Sequence, residues 1–463
     1  MLSRARTTIA NWLAPERARQ FEGASRGRRS FDTGTFGRVN SEVGAAGQTL
    51  AARSAYLAAN NPLVSNAVAN IVGEAVGSGI RPSPRHPEAD GRTQLTAAFD
   101  ACAETIDADG RTDFFGLQAI VVNDVVIRGE AFILLSNEES GLKLRVLDVE
   151  QVDRSLTREL RDGAQVVQGV EFDTAGRRVA YWISPSRLND VFASWAPPVR
   201  VYAEDVLHVF RPLFPGQVRG VPWTASIILS AGELDKLTDA LLMGASVAAM
   251  FCGVVTDENN LDGAEDPFGG ATQPSLEPGS LIRLKGTQRV TFSSPQQSQA
   301  VAELLKTSIR GLAAGMGVPA FMVDGDLTGA NYSSLRAGLI PFRRRIEAFQ
   351  YHCLVPQLLA PVWRRFIATE ILDGNLSSDD RALMKCDWIM PKPLQVDPSK
   401  DIQADLAEIA AGLGSRRQKV AERGWNIDEL DTEIAADQTR EKDLGLKFGA
   451  QQKPDEKEPA REA

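Results

Sequence analysis

The chain has 463 residues, 43% hydrophobic and 24% charged, the balance of a soluble globular protein of about three domains. Such a balance excludes a wholly disordered, collagen-like or disulfide-scaffold protein. Its 51 Lys and Arg against 60 Asp and Glu give a net charge of -9, which argues against a tight nucleic-acid binder, whose affinity needs an excess of cations, and leaves passing contact with a polyanion open.

In chain order, residues 1–49 read as a flexible basic arm, with Arg26, Arg28 and Arg29 among glycines and serines. No apolar signal-peptide core follows Met1. Residues 51–78 predict a helix pair broken at Asn60-Asn61-Pro62. From Phe114 to His208 the pattern predicts a small α+β domain rich in strands, with Ala119–Val126 among its apolar runs and His208 a structural histidine on an apolar strand. Pro222 precedes a long helix over 223–250, whose second half is rich in small residues that let helices approach closely. An acidic, Gly/Pro-rich excursion follows, holding Asp257, Glu258, Asp262, Glu265 and Asp266, then two short strands over Leu281–Phe292 and a helix over 296–316. Met322 to Ala330 predicts a loop with few anchors that can move. A helix over 333–372 would span about 60 Å and must bend or break at Pro341, Pro356 and Pro361. Residues 397–444 predict a helical unit with Pro398 at a helix start and capping pairs Ser415/Gln418 and Asn426/Glu429; the charged tail 447–463 predicts disorder.

The catalytic inventory is nearly empty. Gly23-Ala24-Ser25-Arg26-Gly27 matches a nucleophile elbow without the flanking strand and helix that would lift Ser25. Gly315 to Ala320 follows a helix, and Pro319 lacks the N–H that a phosphate loop would use. Asp107, Asp109 and Asp113 lack the glycine and the acid that a calcium loop requires, and read as an acidic turn. Four dispersed cysteines (Cys102, Cys252, Cys353, Cys386) and three histidines predict reduced thiols, with no metal site and no cofactor. Two other readings compete with a structural role: a serine hydrolase using Ser25, and a membrane-associated assembly factor using the uncharged run 240–256, which is at the lower length limit for a bilayer span.

Several stretches in order carry a family resemblance: Ala59-Asn60-Asn61-Pro62, Val76-Gly77-Ser78-Gly79-Ile80, Gly129-Glu130-Ala131-Phe132, Pro215-Gly216-Gln217-Val218-Arg219-Gly220-Val221-Pro222, Asn331-Tyr332-Ser333-Ser334-Leu335-Arg336 and Val396-Asp397-Pro398-Ser399-Lys400. The chain resembles the lambda-like family of tailed-bacteriophage portal proteins, from about residue 50 to 446. It departs at Phe214, where an arginine is expected, and at Ala320-Phe321, where a Tyr-Glu pair is common.

The resemblance implies a non-enzymatic ring, typically dodecameric, at one capsid vertex of the virion and assembled in the host bacterial cytoplasm. It implies an α+β portal fold: wing 50–222, first stem helix 223–251, small α/β clip 252–292, second stem helix 293–318, tunnel loop 319–332, long kinked helix 333–375 and helical crown 376–446. It implies as partners the large terminase subunit and then a head-completion or adaptor protein at the clip acids, the major capsid protein or scaffold at the wing, and double-stranded DNA passing weakly and non-specifically through the channel, with no membrane. Met322, Val323, Asp324, Gly325, Asp326, Leu327, Thr328, Gly329 and Ala330 would line the channel with Lys306 and Arg310, one helical turn apart. Gln217, Arg219, Asn331, Tyr332, Ser333 and Arg336 would be motif residues in contacts between copies, and Arg343, Arg344 and Arg345 would form salt bridges in the ring.

Overall fold

The structure is a computed structural model and describes residues 37–139, 141–185, 196–250, 254–257, 288–291, 299–328, 331–377, 381–391 and 398–446. It opens with two helices, α1 (Val39–Asn60) and α2 (Pro62–Val76). Their junction follows from Asn61-Pro62: the proline fits a first helical turn, where its missing N–H costs nothing, and the Asn61 side chain accepts from Val64 N at 2.9 Å. The flexible arm expected over 1–49 is corrected from Val39 onward. Val43 and Gly47 of α1 are buried, and Asn40 fastens the helix by donating to Gly216 O and accepting from Val218 N, both at 2.9 Å.

Strand β1 (Arg81–Pro84) leads to α3 (Ala89–Thr105) and α4 (Phe114–Ile127). The expected apolar strand at Ala119–Val126 is thus a helix. Asp113 caps it through Gly116 N, and its buried positions, Phe114, Leu117, Gln118, Val121, Val122, Val125 and Val126, recur every three or four residues. Three strands follow as an antiparallel sheet in the order β3–β2–β9: β2 (Glu130–Glu138), β3 (Gly141–Leu147) and, from later in the chain, β9 (Val206–Phe210). Between β3 and β9 runs a five-stranded antiparallel meander: β4 (Arg158–Glu159), β5 (Gln165–Val167), β6 (Val170–Phe172), β7 (Arg178–Ile183) and β8 (Val199–Tyr202). A small core that includes Phe132, Val152, Val170, Tyr181 and Val218 joins the two sheets.

Helix α5 (Ile228–Met250), the antiparallel pair β10 (Val254–Asp257) and β11 (Gln288–Thr291), and α6 (Gln299–Met316) come next. Among the described residues no helix is long and apolar enough to cross a membrane. A short turn of helix, α7 (Phe321–Asp324), precedes α8 (Tyr332–Phe349). The long helix expected after it runs past Pro341 inside α8 without ending there, and changes only at its later prolines. Residues Gln350–Leu359 form a π-helical segment around Pro356, and α9 (Ala360–Leu372) restarts with Pro361 in its first turn.

Within the segment expected to begin the crown at 376, β12 (Cys386–Ile389) pairs with β1 far back in the chain. Three helices, α10 (Pro398–Ala410), α11 (Arg416–Glu422) and α12 (Ile427–Leu444), close the chain. Ser415 and Asn426 cap the last two, accepting from Gln418 N and Asp428 N. The main core gathers α2, α4, the stem roots, α8 and α9, with Phe99 packed edge-on against Phe114 and Phe366 at centroid distances of 5.5 and 5.2 Å.

Candidate functional site

Helices α5 and α6 make a paired stem. Its root is apolar and buried, with Ile228, Ala231, Leu234, Leu312, Ala313 and Met316 in the main core. Asn61 ties the root down. Besides capping α2, its amide donates to Asp235 on α5 at 2.8 Å. Farther along α2, Asn66 donates to the carbonyls of Met322 and Val323 at 3.0 Å, and Asn70 donates to Met322 O at 2.8 Å. This corrects the poorly anchored loop expected at Met322–Ala330. Met322 is held by α2, Val323 is buried, and Asp324 ends the turn of α7, so the free part starts at Gly325, whose φ of 72° stops the helix.

Beyond that point Asp324 accepts from Asp326 N, and Asp326 accepts from the N–H and hydroxyl of Thr328. Those Thr328 bonds, with a smaller contribution from Lys306, hold the Asp326 carboxyl below its ordinary range. The structure thus brings together Lys306 and the loop; Arg310 is exposed on the same helix.

Beneath the stem lies a buried charge node that the sequence reading missed. Glu130 is fully buried at the start of β2. Its carboxylate accepts from Arg219 Nε at 2.9 and 3.0 Å, from Arg154 at 2.5 Å and from Gly220 N at 2.8 Å, with His208 Nε2 at 2.9 Å. Arg219, also fully buried, donates onward to Val152 O and Gln168 O and lies over the Phe132 ring. Burial alone would raise the Glu130 carboxyl; the charges of Arg219 and Arg154 and the bond to His208 outweigh it and hold the group well below its ordinary range. Burial also dominates at His208 and brings it down to about 4, so the ring is neutral at pH 7. Arg178 faces its Nδ1 at 3.4 Å, which leaves the proton on Nε2, donated to Glu130.

A family profile described as "Phage portal protein, lambda family" matches residues 26–350. The chain belongs to the lambda family of phage portal proteins. It is 26% identical to the probable portal protein of Halomonas phage phiHAP-1 over 355 residues, 73% of this chain and 68% of that one. Against portal protein B of Escherichia phage lambda it is 23% identical over 462 residues, 86% of this chain and 84% of that one. Among solved structures, a chain from the neck of an empty GTA particle superposes with a TM-score of 0.49 at 17% identity, covering 80% of this chain and 93% of that one. An HK97 family phage portal protein from Corynebacterium diphtheriae gives 0.30 at 13% identity, covering 74% and 94%.

In this portal chain the family stretches act within the protomer. Gln217 accepts from Leu213 N and Phe214 N and donates to Arg219 O, stapling the turn from 213 to 219. Gln217 and Arg219, expected in contacts between copies, are both buried inside the fold of the protomer. Gly129 and Gly220 are glycine because their backbones touch; a Cβ on Gly220 would stand 2.0 Å from Gly129 O. Gln118 clamps the Val76–Ile80 stretch by bonding both the N–H and the C=O of Ile80.

Asn331 and Ser334 form a reciprocal cap on α8, Ser333 is exposed, and Arg336 pairs with Asp401 of α10 at 3.5 Å. Arg343 pairs with Glu74 inside the protomer. Asp257 ends β10 opposite Gln288. Ser25, Glu258, Asp262, Glu265, Asp266, Gly329, Ala330 and the side chain of Tyr332 lie outside the described residues. No group of three His, Cys, Asp or Glu among the described residues is placed to hold a metal ion.

Proposed function

We propose that copies of this portal chain pack side by side as a ring of twelve around a bore that passes double-stranded DNA into and out of the capsid at one vertex. The observation that carries this reading is the uncovered stem. Leu229 (76% exposed), Leu242 (62%) and Met243 (66%) on α5 and Leu304 (53%) on α6 stand in solvent, while the buried stem residues lie at its root. A two-helix rod has no interior of its own to cover them, and neighbours of the same kind supply the missing surface.

The electrostatics suit passage rather than grip. A wall of net negative charge with few cations, Lys306 and Arg310 among them, guides a polyanion without the many phosphate contacts that would brake it. The acids of the 252–292 segment would dock the large terminase subunit and later an adaptor protein, and the sheets of the wing would face the major capsid protein or scaffold. Assembly would take place in the host cytoplasm before the ring enters the virion.

Electron microscopy of the purified full-length protein tests the ring, with closed particles of about twelvefold symmetry expected; a protein that stays monomeric at high concentration refutes it. Deleting residues 325–330 should leave rings intact and impair DNA packaging or retention. Normal packaging and retention would refute the assignment of this loop to the channel.

A further inference from the structure

At the root of α6 lies a recess of about 480 Å³, walled by the end of that helix, the middle of α8, the start of the π-helical segment and the exit from β9. Arg211, Arg345 and His352 line it together with Trp223 and Phe349, and none of its lining residues is an Asp or Glu. The Arg211 guanidinium sits 4.4 Å from the centre of the Trp223 ring. Two donors here are buried without a hydrogen-bond partner, Arg211 Nε and Trp223 Nε1, and Trp223 is only 8% exposed. Native folds rarely leave such groups unpaired, so two in one recess with a surplus of cations point to an acceptor from outside the protomer. Burial lowers the Arg211 pKa from its ordinary value and Arg345 adds like-charge repulsion, against a partial offset from Cys353; an incoming anion would relieve both.

We propose that this recess receives a carboxylate side chain of a second copy of the chain, as an anchoring contact between neighbours in the ring; the inference rests on the ring reading given above. The surroundings favour a protein acid over a DNA phosphate. Leu213 and Phe214, which follow Arg211 and Pro212 in the chain, are exposed and apolar, and the recess itself is backed by Trp223 and Phe349. A phosphate-binding site would carry cations at those positions, whereas an apolar stretch next to a cationic slot suits an Asp or Glu on a packed helix face. The chain has such acids in excess, 60 against 51 basic residues.

The test uses the full-length protein, with ring assembly followed by native mass spectrometry on dilution. The double variant Arg211→Gln/Arg345→Gln should need a protomer concentration at least about thirtyfold higher for half-assembly, the effect of truncating one side of a desolvated charge contact. Arg345→Gln alone should weaken assembly while leaving the protomer's melting temperature within about a degree or two, because Arg345 is exposed and a surface change of this kind costs little folding stability. A photo-crosslinking residue at position 352, in rings mixed from isotope-labelled and unlabelled chains, should link to an acid-containing peptide of another copy. Unchanged assembly in the double variant, or crosslinks confined to the same protomer, would overturn the proposal while the ring stands. Unchanged assembly with lost DNA retention would overturn it in favour of phosphate. Absence of rings in the unsubstituted protein would remove the ring reading itself, and this contact with it.

Discussion

Replacing Glu130 by Gln preserves its shape and removes its charge, leaving Arg219, fully buried, and Arg154, nine-tenths buried, facing each other without a counter-charge. The amide also turns a donor toward groups that are themselves donors: two guanidiniums, Gly220 N–H and the neutral His208 Nε2–H. Breaking a buried ion pair from one side costs about 3–5 kcal/mol. Hydrogen exchange read by mass spectrometry at β2 and β9 suits a chain of several domains better than a single unfolding midpoint, and it should quicken by roughly 10²- to 10⁴-fold. A second substitution sharpens the reasoning. Arg154→Met added to Glu130→Gln removes one of the two uncompensated cations and should recover part of the loss. A loss below about 1 kcal/mol, the value of an ordinary hydrogen bond, or no recovery in the double variant, would refute the view that charge compensation holds this node.

The His208 ring, protonated at 6.5 when unfolded and at about 4 when folded, takes up its proton in the unfolded chain first, so stability is complete above pH 6.5 and falls as pH drops toward 4, by up to about 3 kcal/mol. Glu130, held below its ordinary range, adds a further loss below that range; melting from pH 8 to 4 should show the first slope in the native chain and a flattened one in His208→Asn. Gly220→Ala should cost several kcal/mol, on the order of a strained core substitution, because its Cβ would overlap Gly129 O, whereas Gly73→Ala, in open space on α2, should gain roughly 0.5–1 kcal/mol; thermal melting of the two variants checks both. Val323→Ala should cost about 1–2 kcal/mol because that side chain is buried, while Leu327→Ala, on the exposed part of the loop, should stay within about 0.5 kcal/mol by the same assay.

Local chemistry was the legible part of this chain. Asn61-Pro62, Ser415 and Asn426 start helices where their side chains can cap, and the long helix changes type around Pro356 and restarts at Pro361, though it passes Pro341 without ending. The capping box expected at Ser415/Gln418 forms only in one direction, because the Gln418 side chain turns instead to Glu422. Ala119–Val126 misled because a run of buried β-branched residues looks alike in a strand and in a helix buried nearly all round; the Asp113 cap was the signal that could have decided it. The charge node was hidden for a different reason. Arg219 stands in a turn that reads as exposed, and its counter-charge is 89 residues away. Asn40 was likewise read as part of a loose arm because its partners, Gly216 and Val218, come from the far side of the wing.

Helix α2 is made early in synthesis; α4 can cover part of it soon afterwards, yet its polar anchors arrive late. Its Asn61, Asn66, Glu74 and Ala75 bond to residues 174, 257, 269 and 275 positions farther along the chain. On the ribosome the part of this rod that faces the late helices must wait until some three-fifths of the polypeptide has emerged behind it. Such distant closures are slow and leave nascent chains prone to sticking to one another, so productive maturation depends on keeping unfinished molecules apart until the last partners are in place.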